Sequence, residues 1–107
     1  MVFVESPWFS RWRADQLDEE AFRAFQNALQ EAPDAGALIP GGHGLRKVRL
    51  ALPGRGKSGG ARVIYYWWHA ESRIYLLYAY AKNRQADLTQ KQLAQLSALM
   101  KEEFNNG

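Results

Sequence analysis

The sequence predicts an α+β domain in which helices pack on a small, mainly antiparallel sheet, in the order β-α-α-β-β-β-α. Three observations predict it. The first third and the last fifth of the chain carry capped stretches with apolar residues at helical spacing. Between them lie three runs of β-branched and aromatic residues. The links between those runs are short, which suits an antiparallel meander.

The elements follow in chain order. Val2–Glu5 reads as a short strand. Ser6 then caps a helix whose first position is Pro7, a residue with no N–H to lose there. That helix covers about residues 7–14 and carries Trp8, Phe9 and Trp12. Asp18 caps a second helix, with Glu19 and Glu20 in the first turn and Leu17 and Phe22 at the spacing of a hydrophobic staple. Phe22, Phe25 and Leu29 form its apolar stripe, and Pro33 and Gly36 end it.

"APDAGALIPGGHG" reads as a loop. In the strand 45–52, Val48, Leu50 and Leu52 face one way, while Leu45, Lys47, Arg49 and Ala51 face the other. "ARVIYYWWH", 61–69, is apolar on both faces and reads as a central strand; "AES" is a turn, and "RIYLLYAYA", 73–81, is the next strand. A polar loop, 82–87, leads to a last helix over about 89–104. Its start carries a capping box of Thr89 with Gln92 and a staple of Leu88 with Leu93; its buried side holds Leu93, Leu96 and Met100.

Composition bounds the function. A chain of 107 residues is the size of one domain. No cysteine is present, so disulfide, thiol-nucleophile and thiolate-metal chemistry are excluded. The opening "MVFVESPWF" lacks the pattern of a secretion signal, and no apolar run approaches the roughly 20 residues of a membrane span, so a cytoplasmic protein with no membrane partner is expected. The net charge of +3 is unevenly spread: residues 43–84 hold nine basic groups and one acid, Glu71. Such an asymmetry points to a polyanionic partner.

"GRGKSGG", 54–60, resembles the end of a nucleotide-binding loop. The first glycine of that motif belongs at position 51, where Ala51 stands, and a strand follows instead of a helix. It reads better as a glycine-rich hairpin arm whose Arg55 and Lys57 touch a phosphate backbone. His43 and His69 have no metal-type spacing, and no cofactor or metal is expected. The tyrosines and tryptophans of the strands are expected chiefly as core. What remains is a basic strand face with Lys47 and Arg49, Arg62 opening the next strand, and Lys82 and Arg84 after the last. Antiparallel pairing brings Arg62 towards Arg49 and Lys82 towards the same area. Clustered cations suit a phosphodiester, whose negative charge grows in the transition state.

"GLRKVRL", "GKSGGARVIYYW" and "IYLLYAYAKNRQADLT" together resemble the HigB-type branch of the RelE/ParE superfamily of bacterial toxins, over almost the whole chain. The resemblance implies a RelE-like fold and a type II toxin that cuts mRNA in the ribosomal A site without metal. In that reaction the 2′-hydroxyl attacks the adjacent phosphate. It also implies ribosome and mRNA as partners, together with a helix-turn-helix antitoxin through which the pair meets operator DNA.

Carried over by position, Lys47, Arg49, Arg62 and Lys82 match basic site positions. Asn83 falls where well-known members carry an arginine, with Arg84 as its substitute. Arg46, Arg55, Lys57 and Arg73 are the RNA-binding candidates. A tyrosine those members carry near Thr89 is missing, so the general base stays open; Lys47 is the first candidate and Lys82 the second, because like charge and burial favour a neutral lysine. A gyrase-inhibiting toxin of the same fold and a non-catalytic nucleic-acid-binding module are the competing readings.

Overall fold

The computed structural model describes residues 1–52 and 60–106. The elements are β1 (Val2–Glu5), α1 (Pro7–Gln16), α2 (Glu19–Glu31), β2 (Ala37–Leu38), β3 (Leu45–Leu50), β4 (Ala61–Trp68), β5 (Arg73–Ala81) and α3 (Gln90–Asn106). Five strands form one sheet in the order β1-β5-β4-β3-β2. Strands β2 to β5 pair antiparallel, and β1 joins β5 in parallel. The predicted α+β architecture is therefore present, with β4 at the centre of the sheet. Two features go beyond the expectation: β2 forms inside the stretch read as loop, and residues His69–Glu71 make a single 3₁₀ turn that ends on Ser72 with φ of 51°.

Capping works as the residue types require. Ser6 and Asp18 accept hydrogen bonds from the Phe9 and Ala21 N–H groups. The Ser6 hydroxyl in turn donates to the Leu77 carbonyl, and its N–H donates to the Leu76 carbonyl. One buried serine thus starts α1 and ties it to β5. At α3, Thr89 and Gln92 exchange the two bonds of the capping box, each 3.0 Å long.

The sheet separates two cores. On one face Phe9, Phe22, Phe25 and Leu29 of the first two helices pack on Leu50, Val63, Tyr65, Ile74 and Leu76. On the other, Leu93, Leu96 and Met100 of α3 pack on Leu45, Ile64, Tyr75, Leu77 and Tyr80. The pairing of β4 with β5 shifts by one residue between Ile64 and Tyr65, leaving Leu77 as the extra residue. That shift turns both Leu77 and Tyr78 to the second core, between Leu76 and Ala79 in the first.

Tyr65 is fully buried; it donates to the Pro33 carbonyl and accepts from the Gly36 N–H. This anchors the segment entering β2, and Gly36 is required there because a Cβ would lie 2.7 Å from the Tyr65 ring. No helix among the described residues is long and apolar enough to cross a membrane.

Candidate nucleic-acid interface

Period-2 alternation decides which side chains share a face, and the register turns that into rows. Arg49 stands opposite Arg62, and Arg62 opposite Tyr80, so three strands contribute one row. The next row is Lys47, Ile64 and Tyr78. Both rows lie on the α3 side of the sheet. Helix α3 covers this face around Leu45, Ile64 and Tyr75 and leaves Arg49 exposed, with Lys47 and Arg62 half-buried.

The backbone of Lys82 donates to the Gly60 carbonyl at 2.9 Å. That bond sets the antiparallel alternation: Arg62 and Tyr80 form a hydrogen-bonded pair, and Arg49 and Arg62 the closer, non-hydrogen-bonded kind. Like charges directly opposite each other destabilise a sheet. Neither arginine has a carboxylate partner among the described residues. The Arg62 guanidinium donates to the Ala61 carbonyl at 3.2 Å. Two arginines on facing positions with no counter-charge supply planar, permanently charged donors for an anion.

Lys47 differs. Its Nζ makes an ion pair with Asp87 Oδ1 at 3.0 Å. The same oxygen accepts from the Leu88 N–H at 2.8 Å and from the Tyr80 hydroxyl at 3.4 Å. The Lys47 bond, the Leu88 N–H and the other contacts hold the Asp87 carboxyl below the usual range. Burial first, then the Asp87 charge and hydrogen bond, push the Tyr80 phenol up to about 12, while Arg62 acts in the opposite direction. The like-charge neighbourhood expected around Lys47 is thus replaced by contact with an anion. Beside this pair lies a cleft of about 360 Å³ walled by Leu38, Ile39, Pro40, Leu88 and Leu93.

The other sequence-predicted residues are placed as follows. Lys82, Asn83 and Arg84 are exposed on the turn leaving β5. The backbone of Lys82 is tied to Gly60, next to Arg62. Arg84 lines a separate cleft of about 350 Å³ with Trp12, Asp15 and Tyr80, on the α1 side. Arg46 shares the face of Val48 and Leu50, opposite to Lys47, and its guanidinium donates to the Gly36 carbonyl at 2.7 Å and the Asp34 carbonyl at 3.3 Å. Its observed work is to hold the approach to β2.

Arg73 sits at the far end of β5, where Tyr75 first, with Glu71 and Glu103, raises its pKa. Arg46 points to the face opposite Lys47, and Arg73 shares the α3 face but stands at its far end, beyond Tyr75. Arg55 and Lys57, with the hairpin arm, lie outside the described residues.

Sequence reasoning missed Tyr80 and Asp87. Tyr80 was legible by alternation, since it lies two residues before Lys82 on the last strand. Asp87 had a weaker signal, as an acid directly after the basic segment.

A family model described as the RelE toxin of the RelE / RelB toxin-antitoxin system matches residues 1–106. The match spans the whole sheet, all the capped helices and the cationic face, and on it the chain belongs to the RelE toxin family.

Proposed function

We propose that this toxin is a ribosome-dependent mRNA endonuclease of the HigB-type branch, a single domain acting in the cytoplasm and cleaving in the A site without a metal. The observation that carries the reading is the row of Arg49 opposite Arg62, beside Lys47. The three stand on neighbouring rows of one sheet face, and the two arginines have no counter-charge among the described residues. A phosphodiester placed there gains most when its charge grows, which is the requirement for catalysis rather than for binding alone.

In the proposed roles, Arg49 and Arg62 hold the non-bridging oxygens and Lys47 lies at their flank. Lys82, Asn83 and Arg84, together with Arg55 and Lys57 of the arm, guide the RNA backbone on either side. The antitoxin is a helix-turn-helix protein that neutralises the toxin and carries it to operator DNA.

The test is primer extension on mRNA in a purified translation system, with and without ribosomes and with a chelator present. Codon-registered cuts that require ribosomes, survive chelation and vanish in Arg49→Gln and Arg62→Gln support the reading. Intact mRNA under a protein that still stops growth refutes it and directs attention to gyrase.

A further inference from the structure

The cationic face offers donors for a phosphate but leaves one chemical need unmet. Attack by a 2′-hydroxyl requires a proton acceptor, and arginine stays protonated under working conditions. Among the described residues around Lys47, the one carboxylate in contact is Asp87.

Its two oxygens are used differently. Oδ1 is anchored three times, by Lys47, by the Leu88 N–H and by the Tyr80 hydroxyl. Oδ2 has no hydrogen-bond partner among the described residues, and the Asp87 side chain is 67% exposed. A carboxylate fixed by one oxygen with the other open is a positioned acceptor. A nucleotide whose 3′-phosphate rests on Lys47 and Arg49 carries its 2′-hydroxyl next to that phosphate, and Asp87 Oδ1 lies 3.0 Å from Lys47 Nζ.

Resting on the endonuclease reading above, we propose that Asp87 is the general base of the cleavage, that Tyr80 positions it, and that Lys47 is the proton donor to the leaving group. The 2′-hydroxyl proton passes to Asp87 Oδ2 as the 2′-oxygen forms its bond to phosphorus. The bond from phosphorus to the 5′-oxygen breaks, and that oxygen takes a proton from Lys47 Nζ. The products are a 2′,3′-cyclic phosphate and a free 5′-hydroxyl. Asp87 is left protonated and Lys47 neutral. One proton crossing their 3.0 Å contact resets both.

The groups acting on Asp87 are Lys47 from β3 and Tyr80 from β5, together with the Leu88 N–H, and Arg62 of β4 acts on Tyr80. The low acidity range of the carboxyl keeps it ionised, hence able to accept, throughout the neutral region.

The experiment is single-turnover cleavage of mRNA on programmed ribosomes by wild type, Asp87→Asn, Asp87→Glu, Tyr80→Phe and Lys47→Met. The rate at saturation and the half-saturating concentration are measured separately across pH. A second mRNA carries a 5′-bridging sulfur, a leaving group that needs no proton, and a third lacks the 2′-hydroxyl at the cut.

Asp87→Asn is expected to lower the saturated rate about 10²–10⁴-fold. Its half-saturation should stay within about two- to threefold of wild type, as for an exposed substitution. The wild-type rate falls in acid as Asp87 takes up a proton, and the residual rate of Asp87→Asn does not. Asp87→Glu restores part of the rate, and Tyr80→Phe loses less than Asp87→Asn while keeping the acid limb. The sulfur substrate rescues Lys47→Met and leaves Asp87→Asn slow.

Wild-type cleavage with Asp87→Asn within tenfold of it, or rescue of Asp87→Asn by sulfur, overturns the assignment and leaves the endonuclease standing. Unimpaired cutting of the 2′-deoxy substrate overturns the assignment too and leaves an endonuclease of another chemistry, whereas absence of wild-type cleavage removes both readings.

Discussion

Replacing Arg49 by Gln tests whether the cationic row is kept at a cost to the fold. Arg49 faces Arg62 in the closer of the two antiparallel pair types, with Cα atoms about 4.5 Å apart. Two unit charges in water repel by about 1 kcal/mol at 4 Å, and by about half that at twice the distance. Cross-strand pairs span about 0.2–1 kcal/mol, which agrees.

Arg49 is exposed and makes no ion pair among the described residues, so its loss removes repulsion and little else. A gain of that size moves the melting midpoint of a domain near this length up by about 1–6 °C. Thermal unfolding followed by circular dichroism at about 10 mM and 1 M salt measures it, since screening shortens from about 30 Å to 3 Å between them. The gain is expected in low salt and should vanish in high salt, while cleavage falls about 10²–10³-fold. A lower midpoint in low salt, or a gain that persists at high salt, refutes the argument.

Other outcomes follow from buried hydrogen bonds and from titration. Tyr65→Phe strips partners from the Pro33 carbonyl and the Gly36 N–H and should cost about 1–3 kcal/mol in denaturant unfolding. Ser6→Ala removes the α1 cap and leaves the Leu77 carbonyl without its donor, so a loss of about 2–4 kcal/mol is expected in the same assay. The Tyr80 phenol, at about 12 in the folded chain against an ordinary 10, favours the fold fully below pH 10. That contribution is lost as pH rises through 12, because the unfolded chain releases its proton first. Phenolate absorbance should show this late tyrosine, and Asp87→Asn should bring it earlier by removing the anion beside it.

What was legible in the sequence, and what was not, divides along the range of the interaction. Caps and staples act within four residues, so Ser6, Asp18 and the Thr89–Gln92 box were readable from residue type and spacing. Alternation acts along one strand, so the separation of Lys47 and Arg49 from Val48 and Leu50 was readable too. Antiparallel pairing of β3 with β4 across a short link then brought Arg62 to Arg49. By contrast, the Lys47–Asp87 contact joins residues 40 positions apart. It depends on the turn after Ala81, where the Arg84 and Gln85 N–H groups both donate to the Ala81 carbonyl and fold the chain back over the sheet. No local pattern encodes that return, and a carboxylate in a polar loop has many solvated alternatives.

The parallel pairing of β1 with β5 was hidden for a similar reason, since partner choice between distant strands is set by the helices packed beneath them. Ser6 shows how the two ranges meet. Its hydroxyl accepts locally from Phe9 and donates across 71 positions to Leu77, the extra residue of β5. The bulge that frees the Leu77 carbonyl for Ser6 lies three residues before Tyr80. The anchoring of α1 and the phase of the side chains that reach Asp87 therefore depend on one irregularity. Without the bulge, unbroken alternation from Leu76 onward would turn Tyr80 to the first core instead of towards Arg62 and Asp87.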